Sequence, residues 1–336
     1  MVREPGESPG LTRSGKGDGR DTQPLGSFGG LGRRPAPVDP ESEDLLALTT
    51  SVARNPAGSA YEPLTAEGHL VTTARTRPDQ CPGVFRPWAA EDGNLVRLRL
   101  AGGRLPAASL RALIEVATAY GDGDVHVTGR ANLQLRGLGP ITAEVVAAIE
   151  STGLLPSRSH DLARNLMSSP QTGLAGGRAD LRPLVAELDR LLCAEPLLAD
   201  LPGRFLFVLD DGRGDLLDRP VDLGLVALDA RSGQLRVGGR WGEVVPLAEA
   251  AAALVALACS FLRTRTTQWH VSELPGPLMP VQPPDRLAPL PSRPLPYGDV
   301  PGGRHVPAVD GVLDPALADL GTDLVVTPWR GVLVPA

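Results

Sequence analysis

Val125-His126-Val127-Thr128-Gly129-Arg130-Ala131-Asn132-Leu133-Gln134-Leu135-Arg136-Gly137 alternates apolar and polar residues on both sides of a basic turn. In a strand, residues two apart share a face. His126, Thr128 and Arg130 therefore oppose Val125 and Val127 on a strand predicted over Asp124–Arg130. Asn132, Gln134 and Arg136 oppose Leu133 and Leu135 on a second, Asn132–Arg136. Upstream, Asn94–Leu100 alternates too, setting Arg97 and Arg99 against Val96, Leu98 and Leu100. The three strands offer one polar face carrying Arg97, Arg99, His126, Arg130 and Arg136. Guanidinium forks pair carboxylates in a bidentate way, so the face suits a polycarboxylate anion. A plain solvated sheet face is the alternative, but such faces mix acids with bases, and here the only acid is Asp124 at the rim.

Helices predicted at Ala107–Tyr120 and Thr142–Ser151 would cover the apolar side. The first places Leu110, Leu113, Ile114 and Ala117 on one stripe and stops at Gly121. Farther on, the pattern predicts helices at Asp180–Leu192 and Leu247–Leu262. Strands are expected at Arg204–Leu209, Asp222–Leu228, Gln234–Val237, Asp323–Thr327 and Gly331–Val334. The class is α/β in the broad sense that includes α+β. Residues 1–75 are rich in Gly, Pro, Ser and charge and read as disordered, with a short helix at Ser42–Val52. Pro275–Pro307 holds eleven prolines and reads as an extended linker.

The chain repeats itself. Gly102-Gly103-Arg104 precedes Thr128 and Arg130, and Gly302-Gly303-Arg304 precedes Thr327 and Arg330 at nearly the same distance. Two related half-modules in a pseudo-twofold arrangement are expected.

At 336 residues and 42% hydrophobic, the chain can build two cored domains. A net charge of −6 argues against a general nucleic-acid binder. Lys16 is the only lysine, so an arginine counts only where it fits a geometric pattern. The apolar run Ala248–Leu262 is short for a membrane span and Met1–Arg20 lacks an apolar signal core, so we expect a cytoplasmic protein without membrane contact. Cys81, Cys193 and Cys259 form no close pair, which leaves no metal or iron–sulfur ligand set. Cys193 and Cys259 lie on apolar helical segments as buried thiols.

The quoted stretch resembles the ferredoxin-like half-domain of nitrite and sulfite reductases, and Arg97-Leu98-Arg99-Leu100-Ala101-Gly102-Gly103 looks like the strand leading into it. Asp161-Leu162-Ala163-Arg164-Asn165-Leu166-Met167-Ser168-Ser169-Pro170 resembles the segment opening that family's first catalytic domain. Leu201–Gly212 resembles a later strand of the same domain, and Thr327-Pro328-Trp329-Arg330-Gly331 a second half-module. The wording is closest to the precorrin-3B synthase branch of cobalamin biosynthesis.

The resemblance implies two ferredoxin-like half-modules, at 76–155 and 302–336, and a reductase-like catalytic domain at 156–272, with a linker at 273–301. It implies that His126, Thr128, Arg130 and Gln134 hold tetrapyrrole carboxylates. Arg99, Arg164 and Arg204 match three of four cationic positions where a small anion binds, and Leu206 stands at the fourth. The family implies a 4Fe-4S cluster with sirohaem or another iron centre, yet this chain carries no cluster cysteines. The expectation is a precorrin-3B synthase-like oxidoreductase that is incomplete alone, its substrate a polycarboxylate tetrapyrrole such as precorrin-3A; either a separate chain supplies the iron–sulfur domain, or the sequence is a fragment or a degenerate copy. A nitrite or sulfite reductase is the alternative, and a tetrapyrrole-binding remnant without turnover is the non-enzyme alternative. No catalytic residue is assigned. His160 beside Asp161 reads as a loop histidine near a binding face in preference to an acid–base pair, Asp210-Asp211-Gly212 as a turn after a strand, and Gly173–Gly177 lacks phosphate-loop spacing.

Overall fold

The computed structural model describes residues 79–336. The expectations for residues 1–75 and for a helix at Ser42–Val52 fall outside them. The first half-module opens with a hairpin of β1 (Trp88–Ala90) and β2 (Gly93–Leu98), followed by β3 (Arg104–Leu105) and helix α1 (Ala107–Tyr120). β4 (His126–Val127), β5 (Leu133–Leu138) and α2 (Ala143–Ser151) complete it. Its sheet is antiparallel, in the order β1-β2-β5-β4. Helix α1 buries Leu110, Leu113, Val116 and Ala117 against this sheet. Each leucine so buried contributes on the order of 1.5–3 kcal/mol. Thr142 caps α2 by accepting from the Val145 amide. The strand expected over Asp124–Arg130 is only two residues long, because the chain leaves it at Thr128 to form a tight turn.

A second sheet follows, in the order β10-β9-β8-β7-β6. It comprises β6 (Leu166–Ser168), β7 (Phe207–Asp210), β8 (Leu223–Ala227), β9 (Ser232–Val237) and β10 (Arg240–Pro246). β6, β7 and β8 are parallel, and β9 and β10 add antiparallel. Sequence pattern missed two of these strands. β6 is three residues long, and β10 loses its alternation to a bulge between Trp241 and Val244. Period two splits the strand entry cleanly. Phe205, Phe207 and Leu209 join the core with helices α3 (Arg182–Ala194) and α4 (Leu247–Thr264). Leu206 and Val208 face the other way, into a small cluster with Met167, Leu216 and Trp329. Helix α4 is longer than its sequence pattern predicts, and at 18 residues it is long and apolar enough, by length and composition alone, to cross a membrane. Here Ala250, Ala251, Leu254, Ala258 and Phe261 are buried in the same core as α3 and the sheet.

The stretch read as a linker ends in structure: β11 (Gly298–Val300) and β12 (Gly303–Pro307) form a hairpin. Pro301 sits in its turn and Pro307 at a strand end, where a missing N–H is tolerated. With β13 (Leu324–Thr327) and β14 (Gly331–Pro335) they make a sheet in the order β11-β12-β14-β13, to which β3 adds beside β13. The order repeats β1-β2-β5-β4. The two modules share one core, in which Leu317, Leu324, Val326 and Val332 join Leu105, Leu110 and Leu133.

The repeat is real but its glycine register differs from the sequence reading. Gly303 pairs with Val300 as Gly93 pairs with Ala90, so the counterpart of Gly302-Gly303 is Asp92-Gly93 and not Gly102-Gly103. The threonine turns do correspond. Ala131 and Arg330, each three residues after its threonine, both take a left-handed conformation, at φ 57° and 58°. Trp329 therefore stands where Arg130 stands in the first module. The spacing between glycines misled because α1, 14 residues long, is replaced in the second module by a short 3-10 helix, Pro315–Leu320.

Candidate functional site

The turn after β4 is built around Thr128. Its Oγ1 accepts from the amides of Arg130 at 3.3 Å and Asn132 at 3.2 Å, and its own N–H donates to Asn132 O. This buried knot throws Arg130 outward, where Nη1 donates to the carbonyl of Arg204 at 3.0 Å. Arg204 sits in the turn before β7, and Leu206, just ahead of that strand, faces away from the helices with Val208.

Arg130, Arg204, Leu206, Arg219, Asp222 and His270 line an open cleft of about 340 Å³. The Arg204 guanidinium lies 5.9 Å from the centre of the Trp269 ring, within cation–π range. Arg219 is held by the second module, lying 5.9 Å from the Trp329 ring centre and donating to Pro328 O at 3.1 Å. Burial pulls the Arg219 guanidinium below its ordinary pKa, while nearby Asp215 acts in the opposite direction. Both threonine turns thus help to set the cleft's cations.

Beside them lies an acid–histidine pair. Asp222 is buried and its carboxylate accepts from Leu206 N at 2.9 Å and Val271 N at 2.9 Å. His270 Nδ1 meets the same carboxylate at 3.1 Å. Arg219, Asp222 and His270 carry no signal in the sequence pattern. Asp222 and His270 are 48 residues apart, and neither belongs to a recognisable spacing.

The other expected site residues lie elsewhere. Arg97 and Arg99 are buried, so their strand face is not solvated. Arg99 donates to Asn165 Oδ1, Pro82 O and Asp161 O. Arg164 makes a two-pronged pair with Asp189 at 2.7 and 2.8 Å and donates to Arg99 O. Arg99 and Arg164 line a separate cavity of about 360 Å³ with Arg104 and Arg182, and only Arg204 of the expected trio borders the cleft. Gln134 is buried between Arg97 and His126 in strand register. His126 pairs with Asp122 at 2.9 Å, and Arg136 with Asp92 at 3.0 Å.

His160 and Asp161 do not pair. His160 is satisfied by Ser157, Ser159 and Glu195 O, and Asp161 accepts from Val84 and Phe85 amides. Asp210 does cap its turn, accepting from Gly212, Gly214 and Leu216 amides. Next to it, burial first and the Asp210 charge second push Asp215 up to about 7. The one grouping of metal-capable side chains among the described residues is Asp122, Asp124 and His126, which contains no cysteine.

Residues 89–150 match the family model of the nitrite/sulfite reductase ferredoxin-like half domain. This segment is such a half domain. The half domain supplies the Thr128 turn and with it Arg130. The chain is 32% identical over 153 residues to a precorrin-3B synthase of Sinorhizobium sp, covering 45% of this chain and 32% of that protein. It is also 32% identical over 131 residues to a ferredoxin–nitrite reductase of Leptolyngbya laminosa, covering 37% and 26%. The NirA protein of Mycobacterium tuberculosis shares the fold, with a TM-score of 0.59 and 20% identity over 74% of this chain and 56% of that one. The chain matches between about a quarter and a third of the length of these curated relatives. These likenesses place the half domain and its fold in the nitrite/sulfite reductase superfamily.

Proposed function

We propose that the cleft binds the carboxylates of a tetrapyrrole, and that the chain serves a precorrin-3B synthase-like oxidation in cobalamin biosynthesis. The observation that carries this reading is the convergence of Arg130, Arg204 and Arg219 on one cleft, set there by both half-modules. Guanidinium groups match carboxylates in geometry and stay charged at any working pH. At about 340 Å³ the cleft is at the small end of ligand sites, so it takes one carboxylate-bearing edge of a macrocycle and leaves the rest outside it. The similarity to a precorrin-3B synthase favours this ligand class.

The family's two cofactors fit these residues differently. A tetrapyrrole's carboxylates match the arginines of the cleft. A four-iron cluster does not match: the chain has three cysteines, and no grouping of metal-capable side chains among the described residues includes one. An iron centre, when bound, supplies electron transfer or oxygen activation. This chain's own residues position the carboxylates.

Reduction of a small oxyanion is the weaker reading. Such a site works by preorganised positive charge, and Leu206 lies at the cleft in an apolar cluster with Met167, Val208 and Trp329. The test is titration of a polycarboxylate tetrapyrrole into the full chain and into Arg130→Ala and Arg219→Ala. Arg240→Ala, exposed and outside the cleft, controls for loss of charge alone.

A further inference from the structure

The cavity bordered by Arg99 and Arg164 has a neighbour. A second cavity, of about 200 Å³, shares Arg104, Arg182 and Val185 with it, so the two meet along these side chains. They lie where both half-modules join the central domain. β3 brings Arg104 from the first half-module and pairs with β13 of the second, Arg104 opposite Val325 and Leu105 opposite Leu324. Helix α3 contributes Arg182 and Val185. Neither cavity shares a residue with the cleft of Arg130, Arg204 and Arg219, and the family resemblance gives Arg104 and Arg182 no role.

The two compartments differ in chemistry. The larger is bordered by four arginines and one acid, Asp189, which Arg164 already occupies. The smaller has walls of Pro170, Leu174, Leu324, Val325 and Pro335. Its hydroxyls are committed inside the protein: Ser168 donates to Gly102 O, Ser169 to Asp215 and Thr172 to Ala179 O. At the seam, Arg104 reaches Asp323 through Nη2 alone, at 3.5 Å, with the two side chains 46% and 59% exposed. A pair so long and exposed is weak, and an arriving anion can take the place of Asp323. Arg182 holds Asp180 through Nε and Nη2 and keeps Nη1 without a hydrogen bond among the described residues. We propose that the joined cavities bind a small amphiphilic carboxylate, its head on Arg104 and Arg182 and its apolar body in the smaller compartment. A cavity of about 150 Å³ takes a benzene ring, so the 200 Å³ compartment takes one ring or a short alkyl chain. Asp323 is the built-in competitor for the head.

The experiment is calorimetric titration of octanoate into the full chain, with acetate as the head alone and 1-octanol as the body alone. Octanoate should bind, and each partial probe should bind at least about tenfold more weakly, because either the methylenes or the charged contact is lost. Arg104→Ala should weaken octanoate by about tenfold or more. Val325→Phe, at a partly exposed strand position, should weaken it by filling the apolar compartment. Asp323→Asn removes the competing carboxylate and should tighten binding by up to about fivefold, a gain that damage to the fold does not produce. The proposal is overturned by absence of octanoate binding, by equal affinity in wild type and Arg104→Ala, or by weaker binding in Asp323→Asn. It is equally overturned if Arg130→Ala loses octanoate while Arg104→Ala keeps it, which places the ligand in the cleft. None of these outcomes counts against the cleft itself.

Discussion

Arg130 reaches across from the half-domain turn and donates through Nη1 to the backbone carbonyl of Arg204 at 3.0 Å. This one contact ties the half domain to the strand entry of the central sheet and sets two cations at the mouth of the same cleft. Thr128 makes it possible by knotting the turn from inside, so positioning and charge reside on different residues. The predictions separate them.

Thr128→Val keeps the shape of the side chain and removes the acceptor of two turn amides. An unsatisfied buried amide costs about 1–3 kcal/mol. Urea unfolding should show a loss in that range, and the folded variant should bind the tetrapyrrole probe more weakly although no charge has changed. A fully stable variant with unaltered affinity would show that the turn does not depend on the hydroxyl.

Arg164 and Asp189 tell the opposite story. Their side chains are only 7% and 20% exposed, and the pair uses both prongs of the guanidinium. Breaking such a pair from one side costs about 3 kcal/mol. Arg164→Met should lose stability on that order, and adding Asp189→Leu should recover part of it, as a double-mutant cycle measures. We expect ligand affinity in the folded fraction to stay near wild type, which gives Arg164 a packing role in place of the anion contact implied by family resemblance. A selective loss of affinity with stability intact would restore that contact.

Asp215 predicts a pH dependence. Burial and the Asp210 charge push its carboxyl up to about 7 in the folded chain, from an unfolded value of 3.8. The native state therefore holds the extra proton between these values. Stability from this group is fully present below the unfolded value and is lost as pH rises through about 7. Asp215→Asn keeps an acceptor for Ser169 Oγ and removes the ionisation. Denaturant midpoints across this window should fall with pH in wild type and flatten in the variant. Equal slopes in both would show that Asp215 ionises normally.

Much of the fold was legible because its signals are local. Helix α1 was predicted at the bounds it has, and β5, α3 and β8 were found within a few residues, since each carries its own period and stops. What failed depends on distance. β6 is too short to show a period, and a bulge breaks the alternation of β10. The hairpin of β11 and β12 hid within a proline-rich stretch because its prolines fall at the turn and the strand end. The candidate site was half legible. Arg130 and Arg204 were named from the sequence, but alternation could not reveal that Arg97 and Arg99 are buried or that Arg164 is committed to Asp189. Asp222 and His270 meet only through the fold, so no sequence window contains them both.

We propose that Arg130, Arg204 and Arg219 together form a carboxylate site. Titration of an octacarboxylate porphyrin into wild type, Arg130→Ala, Arg219→Ala and Arg240→Ala, at matched salt because screening weakens exposed pairs, tests it most directly. A charged hydrogen bond is worth about 1.5–3 kcal/mol, which is roughly a tenfold to hundredfold change in Kd. Losses of that size are expected for Arg130→Ala and Arg219→Ala, with Arg240→Ala close to wild type. Equal affinity across the four proteins would contradict it.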